Sequence, residues 1–437
     1  MRVAAAAAII AIVGWGGETE PPPAPVPVGC GADMLVVGGE CVPVAVGAGM
    51  SEDECADGFV HDGLDACQPV LPDAPCPAGE IAVPGMSECA TLAECGEALW
   101  GIIETDGATQ YVDAAFAGTS NGSADAPWTT ISAGVAAASP GATVAIAAGS
   151  YPENVVVTDV ITLWGRCPEL VVVDGGSGTA VEVSAAAAVV RGLQLGGVEG
   201  LRAAADAELT AADLWVRGDA RGVLVDDSAA TVTNSLVQEA AELAVLLEGG
   251  SLHFDRSVVR DALRFGLVAA PGAGAAELIV TDSLVDRATR VGVFAQAATV
   301  RLARTVVRDT QPSDEDTSGI GYGVNVQSGA QLFIADSVVE RNIAIGVRVN
   351  ASHAQLDRTT IADTFPDPEG ARGVGIEVGD IEGAAEMGSA SLRDVVLVRN
   401  ADAAVRAFGT VVEGEGGGAG DTAPRAEAAQ ADAAAFG

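Results

Sequence analysis

Acidic side chains are the groups in this sequence whose types and spacing could do chemistry. A doublet, Asp226-Asp227, stands in the middle of the chain, and two acidic insertions follow at residues 311–318 (QPSDEDTS) and 365–370 (FPDPEG). Carboxylate oxygens are the ligands that calcium prefers, so the doublet is a candidate calcium site and the sequence indicates no other cofactor. The insertions predict either a calcium or ligand site or a pair of solvated loops. Their acidic residues are Asp314, Glu315, Asp316, Asp367 and Glu369.

The basic residues limit the chemistry further. All 22 of them are Arg, so lysine-dependent chemistry such as Schiff-base formation is excluded. The formal net charge of −38 argues against nucleic acid as a partner, because no basic surface is available to neutralise phosphates. Cationic partners, calcium among them, suit this charge better. His253 and His353 are expected at surface or turn positions.

The eight cysteines are predicted to form disulfides rather than a metal site. Their spacing contains no C-x2-C knuckle, and His61 is the only histidine near them, which disfavours zinc. Residues 30–100 are therefore expected to be a small disulfide-rich module. Local similarity suggests three pairs, and the two cysteines that remain suggest a fourth: Cys30–Cys41, Cys55–Cys67, Cys76–Cys89 and Cys95–Cys167.

The N-terminal residues indicate export. Residues 1–17 have the charge and apolar order of a secretory signal peptide, and residues 18–29 form a Pro-rich linker. Trp15 stands where the lipid-accepting Cys of a bacterial lipoprotein signal would be, so lipid anchoring is not supported. No later stretch has the length and apolarity of a membrane span. Together with the cysteines, this predicts a secreted or cell-envelope protein, extracellular or periplasmic.

The middle of the chain repeats a short apolar strand followed by Gly-Val-x-Val at intervals of about 22 residues, lengthened by insertions. Such a period is typical of a solenoid, predicted over residues 105–410 and followed by a disordered Gly/Ala/acidic tail over residues 411–437. The strands end at Leu195, Val216, Val237, Val259, Val285, Val307, Val339, Ile361 and Leu397.

Three columns appear when the repeats are aligned on these strand ends. Two positions earlier stand hydroxyls expected to point inward and to bond from rung to rung: Ser235, Ser257, Ser283, Thr305, Ser337 and Thr359. Three positions earlier stand residues expected to form an ion-pair ladder on the opposite strand face: Asp213, Asn234, Arg256, Asp282, Arg304, Asp336, Arg358 and Asp394. One position earlier stands an apolar column that is either buried or an exposed stripe: Trp215, Leu236, Val258, Leu284, Val306 and Val338.

Residues 111–165 are the most specific stretch, with the segments YVD, NGS, APWTTI, PGATV, GSYPENV and ITLWG. They predict a strand, a Gly-rich turn, a short helix with Ile131, Val135 and Ala138 on one face, and three brief strands. A solenoid needs such a lid over its open end. The stretch resembles the opening module of secreted right-handed parallel β-helix proteins of the pectate-lyase-like superfamily, and the resemblance extends over about residues 111–408.

This resemblance implies sugar chemistry as one expectation, since relatives include polysaccharide lyases, pectin methylesterases, polygalacturonases and epimerases. The chain lacks the Asn-Thr-Asp and Gly-His-Gly segments of polygalacturonases, and it lacks the Gln-Asp and Asp-Phe segments of methylesterases. For a lyase, the absence of Lys leaves an Arg base, with Asp226 and Asp227 to hold the calcium that acidifies the substrate proton.

We therefore expect an all-β protein: a single-stranded right-handed parallel β-helix with an N-terminal capping helix and a small disulfide-rich N-terminal module. The expected function is that of an exported, non-catalytic protein of the cell surface or extracellular space whose long side binds polysaccharide or a surface protein. The alternative is a calcium-dependent polysaccharide lyase or related carbohydrate-active enzyme. A clustered Asp and Arg groove on one face would favour the enzyme, and an unbroken side-chain ladder without a cleft would favour the binding protein.

Overall fold

The fold is taken from a computed structural model, and the structure describes ten stretches of the chain: 34–37, 40–43, 55–64, 66–313, 319–370, 372–380, 387–408, 411–415, 418–420 and 434–436. The predicted signal peptide and linker lie outside these residues. So do Cys30, and with it the Cys30–Cys41 pairing, and three acidic residues of the first insertion: Asp314, Glu315 and Asp316.

From Gln110 onward, parallel strands stack into a β-solenoid of about 12 turns. The strands fall into three columns, and three long strands turn a corner from one column to the next: β15 (Gln194–Ala204), β17 (Trp215–Thr233) and β19 (Leu243–Asp255).

Column A carries the strand ends that define the repeat. It contains the first residues of β15 and β17 and the strands β9 (Gly149–Tyr151), β12 (Val171–Asp174), β18 (Leu236–Gln238), β20 (Val258–Arg260), β23 (Leu284–Asp286), β26 (Val306–Arg308), β29 (Val338–Glu340), β32 (Thr360–Ala362), β35 (Val396–Val398) and β38 (Gly418–Gly420).

Column B follows column A in each turn. It contains the later part of β15, the middle of β17, the first part of β19 and the strands β10 (Val155–Val157), β13 (Thr179–Ser184), β21 (Phe265–Ala270), β24 (Val291–Gln296), β27 (Tyr322–Gln327), β30 (Ile345–Asn350), β33 (Val374–Gly379) and β36 (Ala403–Ala407).

Column C completes each turn. It contains the ends of β17 and β19 and the strands β7 (Gln110–Val112), β8 (Thr143–Ile146), β11 (Thr162–Gly165), β14 (Ala187–Arg191), β16 (Glu208–Ala212), β22 (Ala276–Thr281), β25 (Thr299–Ala303), β28 (Gln331–Ala335), β31 (His353–Asp357), β34 (Ser389–Arg393), β37 (Val411–Glu415) and β39 (Ala434–Phe436).

The core of the solenoid consists of small aliphatic side chains because alternate residues of each strand point inward. Every strand end of the predicted repeat, from Leu195 to Leu397, is buried there. The predicted hydroxyl column is buried as well, and each of its six hydroxyls donates to the backbone carbonyl two residues earlier. Ser257 Oγ, for example, donates to the Asp255 carbonyl at 2.7 Å and accepts from the Ser235 amide at 3.0 Å. These bonds make a column of polar groups tolerable inside an apolar core.

The predicted charged column lies at turns and not on the strands, which corrects its expected placement. Its eight residues have φ between 41° and 54°, in the left-handed region that non-glycine residues rarely adopt. Neighbouring charges still pair as expected: Arg304 donates two hydrogen bonds of 2.6 Å to Asp282, and Arg358 pairs with Asp336 in the same way. The prediction assumed that the inward and outward alternation of the strand includes this position, whereas the position belongs to the turn before each column A strand.

A second charged column, which the sequence reading missed, lies two positions after each strand end. It also has positive φ values, and its signs alternate from Asp261 onward. Arg341 donates to both oxygens of Asp309 at 2.9 and 2.8 Å, and Arg399 pairs with Asp363 likewise. Each column A strand from β18 to β35 is thus bracketed by two turn residues, all charged except Asn234. The members are Glu239, Asp261, Arg287, Asp309, Arg341, Asp363 and Arg399.

The first turns carry one short helix, α1 (Ile131–Ala137), as predicted from the opening motif. Thr130 Oγ1 accepts from the Ala133 amide and caps its N-terminus, and the Glu153 carboxylate accepts from the amides of Ile131 and Ser132. Ile131 is buried with the solenoid core, and Val135 packs partly against it. That this helix serves as the cap of the solenoid stays a prediction.

The cysteine-rich module consists of three two-stranded antiparallel hairpins. Among the described residues three disulfides are present, with the pairings expected from the sequence: Cys55–Cys67, Cys76–Cys89 and Cys95–Cys167. The hairpin strands are β1 (Met34–Val37), β2 (Glu40–Pro43), β3 (Phe59–His61), β4 (Cys67–Pro69), β5 (Glu80–Ile81) and β6 (Ala90–Thr91).

The apolar column beside the strand ends is buried because the cysteine-rich module covers it. Phe59, Ile81, Val83 and Leu92 of the module form one apolar cluster with the outward side chains of column A. The covered residues of column A are Leu236, Val258, Leu284, Val306, Val338 and Val396. The buried interpretation is therefore correct, although its cause is a second layer and not a bulge.

Polar bonds attach the module at several heights of the solenoid. Arg260, which is buried, donates to the carbonyls of Cys76 and Pro77 at 2.8 and 3.1 Å. Asn234 Nδ2 donates to the Leu92 carbonyl at 2.8 Å, and Arg166 Nε donates to the Cys95 carbonyl at 2.9 Å. With the Cys95–Cys167 bond, these contacts hold the module along column A, over its apolar outward side chains.

Strands continue beyond residue 410, where the tail was predicted to begin. β37, β38 and β39 extend the parallel ladder, while residues 421–433 of the predicted tail lie outside the described residues. Within the described part of the chain, no helical segment has the length and hydrophobicity that a membrane span requires.

Candidate functional site

The outward side of column B departs most from a repeated pattern. Each rung presents one central outward residue there, and neighbouring rungs are in register. These residues are charged at the start, apolar in the middle and polar again from Asn325 onward. In rung order they are Glu182, Arg202, Leu224, Leu246, Val268, Phe294, Asn325, Arg348, Glu377 and Arg406.

The late polar part, which we call the Asn325 cluster, consists of Asn325, Arg348, Asn350, Glu377 and Arg406. Arg348 Nε donates to Glu377 Oε1 at 3.1 Å, and an Arg406 nitrogen lies 3.8 Å from the other Glu377 oxygen. With its amide oxygen turned toward Arg348, Asn350 accepts two hydrogen bonds from that guanidinium at 3.2 Å. Asn325, Asn350 and Glu377 are each 7 to 8% exposed. The apolar residues that precede the cluster in the column are equally buried, for example Val268 at 1% and Phe294 at 6%, because the outward side chains of column B pack against one another here.

Asn325 itself stands out within the cluster. Its Oδ1 atom is buried and has no hydrogen-bond partner among the residues that the structure describes. Phe294 precedes it and Arg348 follows it in the column, one rung away on either side. A buried amide oxygen without a donor costs free energy, so it marks a place where a donor from outside the chain would fit.

Tyr322 and Arg372 border the cluster. The Tyr322 ring is almost fully buried, and its hydroxyl accepts from Arg372 Nη1 at 3.1 Å. Burial raises the pKa of this hydroxyl, so it remains protonated over the physiological range and can itself donate. Arg372 Nε also lies 3.9 Å from an Asp367 carboxylate oxygen.

The two acidic insertions do leave the same corner of the solenoid, next to the Asn325 cluster. Ile343 forms bridges with Gly321, at the end of the first insertion, and with Phe365, at the start of the second. A Cβ atom placed on Gly319 would lie 3.4 Å from the Asp367 Cβ, so the two segments are in contact. Of the predicted ligand residues, Glu369 is exposed, whereas Asp367 is buried beside Arg372.

The predicted calcium doublet lies at the early end of column B. Asp226 accepts from Arg202 Nη2 at 2.8 Å, and Asp227 accepts from the amides of Ala273 and Gly274 at 2.8 to 3.2 Å. The two carboxylates therefore accept hydrogen bonds from different partners. In the described stretches, the one group of three potential ligand atoms close enough to share a metal is Cys95, Cys167 and Glu169, and its cysteines form a disulfide.

Glu248 stacks on Asp226 in the next rung. Burial, followed by the neighbouring Asp226 carboxylate, raises the pKa of the Glu248 carboxyl. Arg202 pairs with Asp226, and Glu248 beside it has a raised pKa, as carboxyl groups that act in acid–base catalysis often have.

The two candidate histidines lie on the outward side of column C. His253 Nε2 is 3.0 Å from Thr281 Oγ1, and His353 Nδ1 is 2.7 Å from Ser389 Oγ. Each partner belongs to the next rung, so these contacts follow the ladder, and neither histidine lies in the Asn325 cluster.

The sequence contained one signal for the Asn325 cluster that was not used. The third residue of the repeated Gly-Val-x-Val motif is apolar in the middle rungs and becomes Asn325, Arg348 and Glu377 in successive later rungs. That position points outward on column B. A polar run confined to neighbouring repeats therefore indicates a local site and not a feature of the fold.

No protein-family model matches the chain, and no curated protein matches it. Solved structures that resemble it share 15% identity or less. Pectate lyase Pel9A has 15% identity and a TM-score of 0.43, over 79% of this chain and 82% of that one. The A-module of the Azotobacter vinelandii mannuronan C-5 epimerase AlgE6 has 13% identity and a TM-score of 0.36, over 68% and 94%.

The catalytic domain of a GH87 α-1,3-glucanase in complex with nigerose has 10% identity and a TM-score of 0.31, over 64% of this chain and 61% of that one. The strand ladder of the chain itself establishes its architecture. The protein is a parallel β-solenoid, which confirms the parallel solenoid that its sequence predicted.

Proposed function

We propose that this is an exported, non-catalytic protein of the cell surface or extracellular space that binds carbohydrate or protein along the outward side of column B. Three disulfides and the predicted signal peptide support export. Column A is covered by the cysteine-rich module, which leaves columns B and C as the long sides open to a partner.

The observation that carries the proposal is the Asn325 cluster. It brings together, in neighbouring rungs, an amide oxygen without a donor among the described residues and a buried carboxylate between two guanidinium groups, and the buried phenol of Tyr322 borders it. Elsewhere on the solenoid, most buried polar groups recur as columns, and other buried atoms without a partner among the described residues, such as Trp215 Nε1 and Thr360 Oγ1, lie on column A. A small set of convergent polar groups beside apolar ones is a common feature of ligand sites.

The same geometry supports binding rather than catalysis. Both oxygens of Glu377 face arginines, Arg348 on one side and Arg406 on the other. Such a carboxylate is held in place and engaged, whereas a general base needs a free oxygen within reach of a substrate proton.

A binding screen with the full chain tests the proposal. Soluble polysaccharides, both neutral and acidic, are titrated by calorimetry, and each is also incubated with the protein in calcium to follow the absorbance of unsaturated sugar products. We expect binding without product. If the protein binds neither a polysaccharide nor a cell-surface protein, the proposal is wrong.

A calcium-dependent polysaccharide lyase or related carbohydrate-active enzyme is the second candidate. The Arg202–Asp226 pair with Glu248 stacked beside it supports this candidate, because it combines a paired carboxylate with a more basic one on an open face. Absorbance that grows with time in the screen, and that is lost in Glu248→Gln, would favour the enzyme.

A further inference from the structure

We infer that the Asn325 cluster is a subsite for one uncharged sugar unit, an inference that rests on the proposed function. The polysaccharide lies along the solenoid axis, and one of its hydroxyl groups donates a hydrogen bond to Asn325 Oδ1. This inference adds two statements to the proposed function: the ligand is uncharged, and the polymer runs along the solenoid axis.

The charges of the cluster favour an uncharged ligand. Arg348 and Arg406 face Glu377, Arg406 also donates to Asp402, and Arg372 lies beside Asp367. Three guanidinium groups are thus accompanied by three carboxylates. A ligand carboxylate would have to compete with these pairs and would enter the field of a chain whose net charge is −38. Hydroxyl groups, which donate and accept, suit the site without that cost.

The spacing of the cluster favours a polymer. Asn325, Arg348, Glu377 and Arg406 occupy the same outward position in four successive rungs. Rungs of a parallel ladder lie about 4.8 Å apart. This repeat is comparable to the advance of one sugar unit along an extended glycan, so successive units meet successive polar side chains.

The key atom is the Asn325 amide oxygen, which lacks a donor in the described chain. A sugar hydroxyl can donate a hydrogen bond to this oxygen, whereas an ionised sugar carboxylate can only accept one. A trapped water molecule would also satisfy the oxygen, and the test separates these cases because water does not make glycan affinity depend on Asn325.

The test compares the wild type with Asn325→Leu and with the control Gln355→Leu, which replaces an exposed outward amide of column C. The probes are a soluble β-glucan, a galactomannan and polygalacturonate, titrated by calorimetry with the full chain. We expect a neutral polysaccharide to bind the wild type and the control alike, and Asn325→Leu to weaken binding at least about tenfold, as loss of a buried hydrogen bond to a ligand does. The Tm of Asn325→Leu should not fall, because no bond within the described chain is lost.

The outcomes separate the inference from the proposed function. Equal affinity of Asn325→Leu and the wild type, or a preference for polygalacturonate, overturns the subsite and leaves the proposed function standing. Binding of no polysaccharide by the wild type overturns the inference and removes the carbohydrate form of the proposed function, while the capture of a surface protein would preserve its protein form. If Asn325→Leu does not fold, Asn325→Asp decides, because it keeps an acceptor oxygen. Loss of binding in a folded Asn325→Asp would contradict the acceptor role.

Discussion

Residues at the turns of this solenoid combine two tasks that usually need different side chains. Glycine is the ordinary occupant of a left-handed turn, yet fifteen such positions beside column A carry Asp, Arg, Asn or Glu. Several neighbours of opposite charge pair between rungs, so strained backbone and ion pairing coincide at these positions. Each exposed pair contributes only about 0.2 to 1 kcal/mol, and the pairs also oppose a slip in register because like charges would then meet.

Arg256 allows the backbone cost to be measured by itself. Its φ is 44°, and it forms no ion pair within the described chain. A β-branched residue fits this region worst, so Arg256→Val should lower the free energy of unfolding by about 1 to 2 kcal/mol relative to Arg256→Gly. Denaturant titrations of the two variants measure this difference. Equal stability would show that the turn adopts another conformation in solution.

At the scale of elements, the cysteine-rich module and column A form a second apolar layer outside the solenoid core. Leu284 is 5% exposed beneath the module. Leu284→Ala should therefore lower the free energy of unfolding by about 2 to 5 kcal/mol, as for a buried core residue. Val156 is an outward residue of column B that is 50% exposed, and Val156→Ala is the control, with an expected change within about 0.5 kcal/mol. Chemical denaturation measures both, and equal small changes would mean that the module does not rest on this stripe.

Glu340 connects the same interface to pH. Strand β29, which ends at Glu340, lies against β4 of the module, and burial raises the pKa of this carboxyl despite the nearby Arg341 and Arg308. Between the ordinary carboxyl pKa and the raised one, the folded protein binds more protons than the unfolded chain. The free energy of unfolding therefore falls as pH rises through that interval.

Glu340→Gln removes this dependence, so its stability relative to the wild type should improve as pH rises from about 4 to 7. Glu369→Gln, at an exposed position, is the control and should run parallel to the wild type. Thermal denaturation over this pH range measures the effect. A relative stability of Glu340→Gln that worsens with rising pH would show that the arginines dominate over burial.

The sequence predicted the elements better than their surroundings. Strand ends such as Val237 and the hydroxyl column followed from period and alternation, because both are local properties of each repeat. The cover over Val258 did not follow, because its partners Phe59 and Ile81 lie almost two hundred positions earlier in the chain. The Asn325 cluster becomes visible only when the outward position of column B is aligned from repeat to repeat. Arg348 and Glu377, which pair in the structure, are separated in the sequence by an insertion that obscures this alignment.

At the scale of the whole molecule, 60 acidic and 22 basic residues make self-repulsion a general cost of the folded state. Sodium chloride screens this repulsion and also weakens the exposed ladder pairs. The excess of acidic over basic residues is larger than the number of ladder ion pairs, so we expect the Tm to rise with salt. Scanning calorimetry across a sodium chloride series measures this balance, and a falling Tm would show that the ladders outweigh the net charge.

Calcium is the final test, because it separates a screening ion from a ligand. Asp226 is paired with Arg202, and Asp227 holds the amides of Ala273 and Gly274, so calcium would have to displace existing bonds at this doublet. We expect calcium to raise the Tm no more than magnesium does at matched ionic strength. Asp227→Asn should lower the Tm equally in both salts, because a neutral amide accepts more weakly from those two amides. A shift specific to calcium that Asp227→Asn abolishes would instead establish the doublet as a metal site and strengthen the enzyme candidate.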